Sequence, residues 1–257
     1  MTRFGSCSAW VIGLLGVTMF LGGACTSQGP AANEPGETTL VVGLPGGPDS
    51  LNVYLARSAS SLLVANRILP RLYEEVLPAA GRDYQLAPQL ARTAGTFDEQ
   101  GRVLRVPLRE DLTWSDGQPV VCEDVRFTYE AQTDPDLGWR GASIKRHITE
   151  VSCPGPHEVV FRFDEVYPEQ RMDVNDLHVL PRSLEEIPRA RWREVDWSER
   201  LPTAGAYRVA ESVPGERLVL ERDPSSPLEQ TGNVERIVFR VVPDSLSRAT
   251  QLRTGDL

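Results

Sequence analysis

Lysine is nearly missing from this sequence: of its 27 basic residues, only Lys145 is one. That scarcity reads as a codon-usage habit, not as a binding feature. Histidine is also rare, with three in 257 residues, and acidic residues outnumber basic ones to give a net charge of -9. The balance argues against nucleic-acid binding, which needs a basic patch. The apolar run from Ala9 to Leu21 is too short to cross ~30 Å of hydrocarbon, which takes about 20 apolar residues. There is no Cys-x-x-Cys and no His-Glu-x-x-His, so a clustered metal site is not expected. There is also no Gly-x-Ser-x-Gly elbow, and Ser115 lies in a turn. His147, His157 and His178 are the only imidazoles available for acid–base work. His147 follows Lys145-Arg146 and reads as a solvated surface residue. The pairs Glu74-Glu75 and Glu185-Glu186 read as solvated faces. An enzyme is therefore not expected, nor is a cofactor or a metal.

What is present starts with an export signal. Arg3 gives a positive start, Ala9 to Leu21 carries no charge and is mostly apolar, and Gly22, Gly23 and Ala24 are small. This is the pattern of a secretory signal peptide. Leu-Gly-Gly-Ala-Cys25 resembles the bacterial lipobox, although Gly22 stands where Leu is usual and Leu21 lies one place earlier. The resemblance implies cleavage after residue 24 and acylation of Cys25. The protein would then be extracytoplasmic and lipid-anchored to a bacterial membrane. One acyl chain binds membranes only marginally, so stable anchoring takes more than one. With Cys7 in the signal and Cys25 lipidated, Cys122 and Cys153 remain in an oxidising compartment and are expected to pair.

Residues 25–38 are rich in Gly, Pro, Ala, Ser and Glu and read as a flexible tether. Ordered structure is expected from Thr39, where Leu40, Val42 and Leu44 alternate as in a half-buried strand. Ser60 to Val76 shows helical spacing, with Leu62, Leu63, Ile68, Leu72 and Val76 on one face and Pro70 as a kink or restart. Gly101 to Leu108 predicts a strand that Pro107 pushes toward a sheet edge. Further alternating strands run over Val159–Phe163, Arg217–Glu221 and Arg236–Val242. Ser245 to Arg253 predicts a helix, with Leu246, Ala249 and Thr250 on one face and Gly255 as its stop. Val125, Phe127 and Tyr129 alternate like a strand, yet Glu123 and Asp124 favour a helix start. Strands and helices interleave, which points to an α/β class.

Several segments come in a telling order. They are Pro48-Asp-Ser-Leu-Asn, Leu72-Tyr-Glu-Glu-Val-Leu and Leu86-Ala-Pro-Gln-Leu-Ala. Next are Leu108-Arg-Glu-Asp-Leu-Thr-Trp-Ser-Asp-Gly-Gln-Pro-Val and Glu123-Asp-Val-Arg-Phe-Thr-Tyr-Glu. Gly205-Ala-Tyr, Val219-Leu-Glu-Arg-Asp-Pro and Thr254-Gly-Asp-Leu close the series. Together they resemble the family 5 extracellular solute-binding proteins, the oligopeptide, dipeptide and nickel receptors of ABC importers. The resemblance implies a periplasmic-binding-protein-like (type II) fold of two lobes that close on a ligand. It implies delivery of a peptide or related small solute to an importer permease, and a helix beginning at Glu123-Asp-Val. Trp114, Asp116 and Asp124 are expected to be structural.

The sequence departs from the family in places. Val121-Cys122 stands where a capping Thr or Ser is usual. Asp223-Pro-Ser-Ser-Pro lacks the usual aromatics. Family members are roughly twice as long, so residues 39–257 are expected to hold mainly the N-terminal lobe, with the second lobe missing. The alternative is a truncated or repurposed lipoprotein scaffold or sensor without transport. By resemblance to the oligopeptide receptors, Ser60, Ser61, Leu62 and Leu63 would lie along an extended ligand, with Trp139 as an aromatic surface. A helix-core role for Leu62 and Leu63 is the competing reading.

Overall fold

The computed structural model describes residues 38–76, 85–176, 178–228 and 233–257. The signal segment 1–24 and the tether 25–38, Cys25 included, lie outside the described residues except for Thr38. In chain order the strands are β1 (Thr38–Leu44), β2 (Tyr73–Val76), β3 (Gln85–Pro88), β4 (Thr96–Phe97) and β5 (Val103–Pro107). They continue as β6 (Ile148–Gly155), β7 (Glu158–Phe163), β8 (Tyr207–Val213), β9 (Arg217–Arg222) and β10 (Val234–Val241). The α-helices are α1 (Ala59–Ile68), α2 (Cys122–Thr133), α3 (Gln170–Asn175), α4 (Trp197–Arg200) and α5 (Ser245–Thr254).

One sheet has the order β1-β10-β9-β8, and a second has the order β4-β5-β7-β6. In the first, β1 runs parallel to β10 while β10, β9 and β8 are antiparallel. The second is antiparallel throughout. β2 and β3 form a separate ribbon. Alternation explains the cores: Leu104 and Val106 of β5 face inward, with Val159, Phe161 and Phe163 of β7. The interleaved strands and helices give the expected α/β class.

Several expectations need correction. The helix read over Ser60–Val76 ends at Ile68, and Tyr73–Val76 is a strand. Pro70 is the reason: the residue before a proline is driven out of the helical region. Leu69 accordingly sits at φ -121, ψ 141. Pro107 does not mark a sheet edge, because β5 lies between β4 and β7. Its carbonyl accepts from Arg92 N, and the next amide, Leu108 N, donates to His157 O on the β7 side. The missing N–H of Pro107 thus falls where the two-residue β4 has already ended. Val125, Phe127 and Tyr129 lie in helix α2, as the resemblance implied. α5 forms and ends at Gly255 with φ 81, but none of its residues is buried and Leu246 is exposed.

The Leu108–Asp124 block packs on itself. Trp114 is buried, and its Nε1 donates to Asp124 Oδ2 at 3.1 Å. Val121 has no side-chain oxygen, so the start of α2 is held from within instead. Val121 N donates to Asp124 Oδ2 at 2.8 Å, and Arg182 N donates to Oδ1 at 2.8 Å. Burial pushes the Asp124 carboxyl up, against the lowering effect of those donors. In the turn, Gly117 adopts φ 84 and Asp116 Oδ1 accepts from Gln118 N at 3.0 Å. Ser115 Oγ accepts from Thr203 N at 3.0 Å, tying this turn to the Thr203–Tyr207 loop. Cys122 and Cys153 form a disulfide with Cα atoms 5.7 Å apart, joining the start of α2 to β6.

Candidate functional site

The first turn of α1 reverses the usual amphipathic pattern. Ser60 and Ser61 are buried, whereas Leu62 and Leu63 are 41% and 45% exposed. The buried face continues with Val64, Ala65 and Ile68. Ala59, Leu62, Leu63 and Asn66 form the exposed stripe, at the i, i+3, i+4, i+7 spacing of one helix face. The helix-core reading of Leu62 and Leu63 therefore fails.

The serines turn inward because the β1–α1 loop needs their hydroxyls. Ser61 Oγ donates to Asp49 Oδ1 at 2.6 Å and accepts from Asp49 N at 3.0 Å. Ser60 Oγ donates to the Gly46 carbonyl at 2.7 Å. Asp49 also accepts from Arg57 N at 2.9 Å and Ser58 N at 3.2 Å. Burial opposes ionisation of Asp49, but hydrogen bonds from Ser61, Ser58 and Arg57 win and hold its carboxyl at about 2. Ser58 caps the helix by accepting from Ser61 N at 3.1 Å. The two hydroxyls are thus engaged by the loop, and the leucines are left to the surface. The far end of α1 rests on the Thr203–Tyr207 loop, where Ala204 N and Gly205 N both donate to Ile68 O. A Cβ on Gly205 would lie 2.2 Å from Arg67 O, so this approach requires glycine.

Trp139 is half-buried and meets Tyr54 edge-on, with ring centroids 5.6 Å apart. A buried polar network links it to α1. Tyr54 Oη donates to His178 O at 2.6 Å and accepts from Gln132 Nε2 at 3.0 Å. His178 Nε2 lies 2.9 Å from Asn66 Oδ1 on the exposed stripe. Lys145 is only 3% exposed, its ammonium 6.0 Å from the Trp139 ring centroid and bonded to the Asp173 carbonyl. Burial lowers Lys145 to about 8, against the nearby Asp176 and Asp173 carboxylates. Burial lowers His178 to about 3, with help from the Arg71 charge, so its imidazole is neutral. The structure thus brings Ser60, Ser61, Leu62 and Leu63 together, and connects Trp139 to them through Tyr54, His178 and Asn66.

Sequence reasoning missed Tyr54, Asn66, Gln132 and Lys145. The lone lysine was the available signal, and it was taken for composition alone. His147 also differs from expectation. It is wedged between Asp164 and Glu165 at 3.0 and 3.2 Å, with its side chain 18% exposed. Beyond the loop, a crevice of about 240 Å³ opens between residues 47–51, 195–198 and the β8–β9 turn. Among the described residues, no group of three or more His, Cys, Asp or Glu could hold a metal ion. No helix among them is long and apolar enough to cross a membrane.

The sequence profile of the bacterial extracellular solute-binding proteins, family 5 (middle region), matches residues 85–257. The probable peptide-binding protein YejA of Agrobacterium fabrum is 28% identical over 191 residues, which cover 72% of this chain and 30% of the relative. Two solved structures share the fold. The Bacillus subtilis oligopeptide-binding protein AppA, in complex with a nonapeptide, gives a TM-score of 0.75 at 20% identity over 86% of this chain and 43% of that one. NikZ from Campylobacter jejuni, in complex with Ni(L-His), gives 0.72 at 20% identity over 85% and 42%. The chain thus spans about a third of the curated relative and less than half of these structures. With two thirds of its length matched by the family profile, the chain belongs to the bacterial extracellular solute-binding proteins, family 5.

Proposed function

We propose that this chain supplies one wall of an extracytoplasmic receptor that captures peptides or related small solutes for an ABC importer, and that it is not an enzyme. In this reading a lipid on Cys25 anchors the protein and residues 25–38 act as its tether. Residues 39–257 are the N-terminal lobe, which a second lobe would face across the ligand. The observation that carries the reading is the exposed Leu62–Leu63 pair, set on a helix whose serines are spent inward on the loop. Two adjacent half-exposed leucines on a fixed helix offer apolar area to a ligand, and Trp139, linked to that helix through Tyr54, His178 and Asn66, adds an aromatic surface. The names of the relatives support the ligand class: YejA is called a probable peptide-binding protein, and AppA holds a nonapeptide.

Titration calorimetry of the full-length gene product with a peptide library tests the ligand class. Peptide binding is expected, weakened about tenfold or more by Leu62→Gln with Leu63→Gln, since burying a leucine contributes roughly 1.5–3 kcal/mol. Binding of sugars or a metal chelate with no peptide binding would defeat the peptide assignment. Labelling cells with a radioactive fatty acid tests the anchor. Incorporation that disappears in Cys25→Ala is expected, and incorporation that survives the substitution refutes it.

A further inference from the structure

Beneath the candidate wall lies a small recess of about 20 Å³, lined by Tyr129, Gln132, Lys145, Asp176 and His178 together with apolar residues that include Val125, Ile148 and Phe161. Two of the lining residues carry a buried polar atom without a hydrogen-bond partner, Asp176 Oδ2 and His178 Nδ1. Each such atom forfeits the hydrogen bonds it had in water, at about 1–3 kcal/mol. Native proteins rarely leave two together unsatisfied.

Chemistry narrows what could satisfy them. His178 Nε2 faces Asn66 Oδ1, an acceptor, so Nε2 carries the proton and Nδ1 is an acceptor. Asp176 Oδ2 is likewise an acceptor. Lys145 donates to the Asp173 carbonyl and has further N–H donors. The missing group must therefore donate twice and accept once. A cation would face the Lys145 ammonium, and an anion would face the Asp176 carboxylate. The volume admits one small neutral molecule, since a single water needs about 10–15 Å³.

We propose that this recess is a binding site for one resident water molecule. Lys145 Nζ donates to its oxygen, and its two hydrogens go to Asp176 Oδ2 and His178 Nδ1. The water joins the turn carrying Lys145 to Asp176 and His178 and, through Gln132, to helix α2. Gln132 Nε2 already donates to the Asp176 carbonyl at 3.0 Å. The site stands below both halves of the proposed wall. Lys145 lies against Trp139, and His178 holds Asn66 of α1. Its existence does not depend on the ligand assignment.

The lone lysine makes the test clean, because lysine labelled with ¹⁵N at Nζ gives one signal in the full chain. Magnetisation transfer from Lys145 Nζ protons to a long-lived water is expected, and should vanish in Asp176→Leu, which fills the recess with an apolar group. An atomic-resolution crystal structure should show one density peak within about 3.2 Å of Lys145 Nζ, Asp176 Oδ2 and His178 Nδ1. A direct Lys145–Asp176 contact that closes the recess, or a recess without density, overturns the proposal. So does an Nζ signal that exchanges only with bulk solvent.

Discussion

The Leu108–Asp124 block and the first turn of α1 are each organised by one carboxylate, with opposite results. Asp124 is buried, accepts from Trp114, Val121 and Arg182, and has its ionisation disfavoured by burial. Asp49 lies near the surface, accepts from Ser61, Arg57 and Ser58, and has its ionisation favoured at about 2. The same number of donor residues thus gives shifts of opposite sign, because desolvation outweighs them at Asp124 but not at Asp49. The first region spends the donors around Asp124 on its own packing. The second spends serines on the loop and leaves leucines outside. A conspicuous motif here marks internal architecture, while the exposed leucines of α1 are marked by an inverted amphipathic pattern.

Removing each organiser should sharpen this contrast. Asp124→Ala strands three donors around a buried site and is expected to cost about 4 kcal/mol in urea unfolding. A loss below 1 kcal/mol would mean the block is held by Trp114 packing alone. Opening the Cys122–Cys153 bridge, by Cys122→Ala with Cys153→Ala, should cost about 3.5 kcal/mol, given its sequence separation of 31 residues. Equal midpoints for the oxidised protein and the double variant would show that this link restricts nothing.

Asp49 should act more weakly. Its folded value of about 2 lies below the ordinary 3.8. Its contribution is therefore complete above pH 3.8 and is lost as the pH falls toward 2. Because the group is largely exposed, solvent screening limits the effect to about 1 kcal/mol. Asp49→Asn should remove that acid-range slope, and an unchanged slope would assign it to other carboxylates. The smallest effect is expected at the surface, where Leu62→Gln with Leu63→Gln should change stability by less than about 0.5 kcal/mol. A loss of several kcal/mol would show that the leucines belong to a core after all.

Much of the fold was legible from residues near one another in the chain. Leu40, Val42 and Leu44 announced β1, and Val159–Phe163 announced β7, because strand alternation is a local signal. Pro70 was read as a kink or restart, but it ended the helix. Leu62 and Leu63 were grouped with Ile68 on one face, because periodicity reports hydrophobicity and does not say which side is covered. The serines that fix the true face are hydrogen-bonded to residues 12 and 14 positions away. Such partners are invisible to a pattern confined to the helix.

The sequence by itself determined the family, the α/β class and the structural character of Trp114, Asp116 and Asp124. These depend on residue type and order within short segments. Only the tertiary structure decided which face of α1 is exposed, that Lys145 is buried, and that Asp176 and His178, each with an unpartnered buried atom, line one recess. Those outcomes depend on what distant segments place against each side chain. Desolvation and hydrogen-bond satisfaction are settled only when the chain has folded.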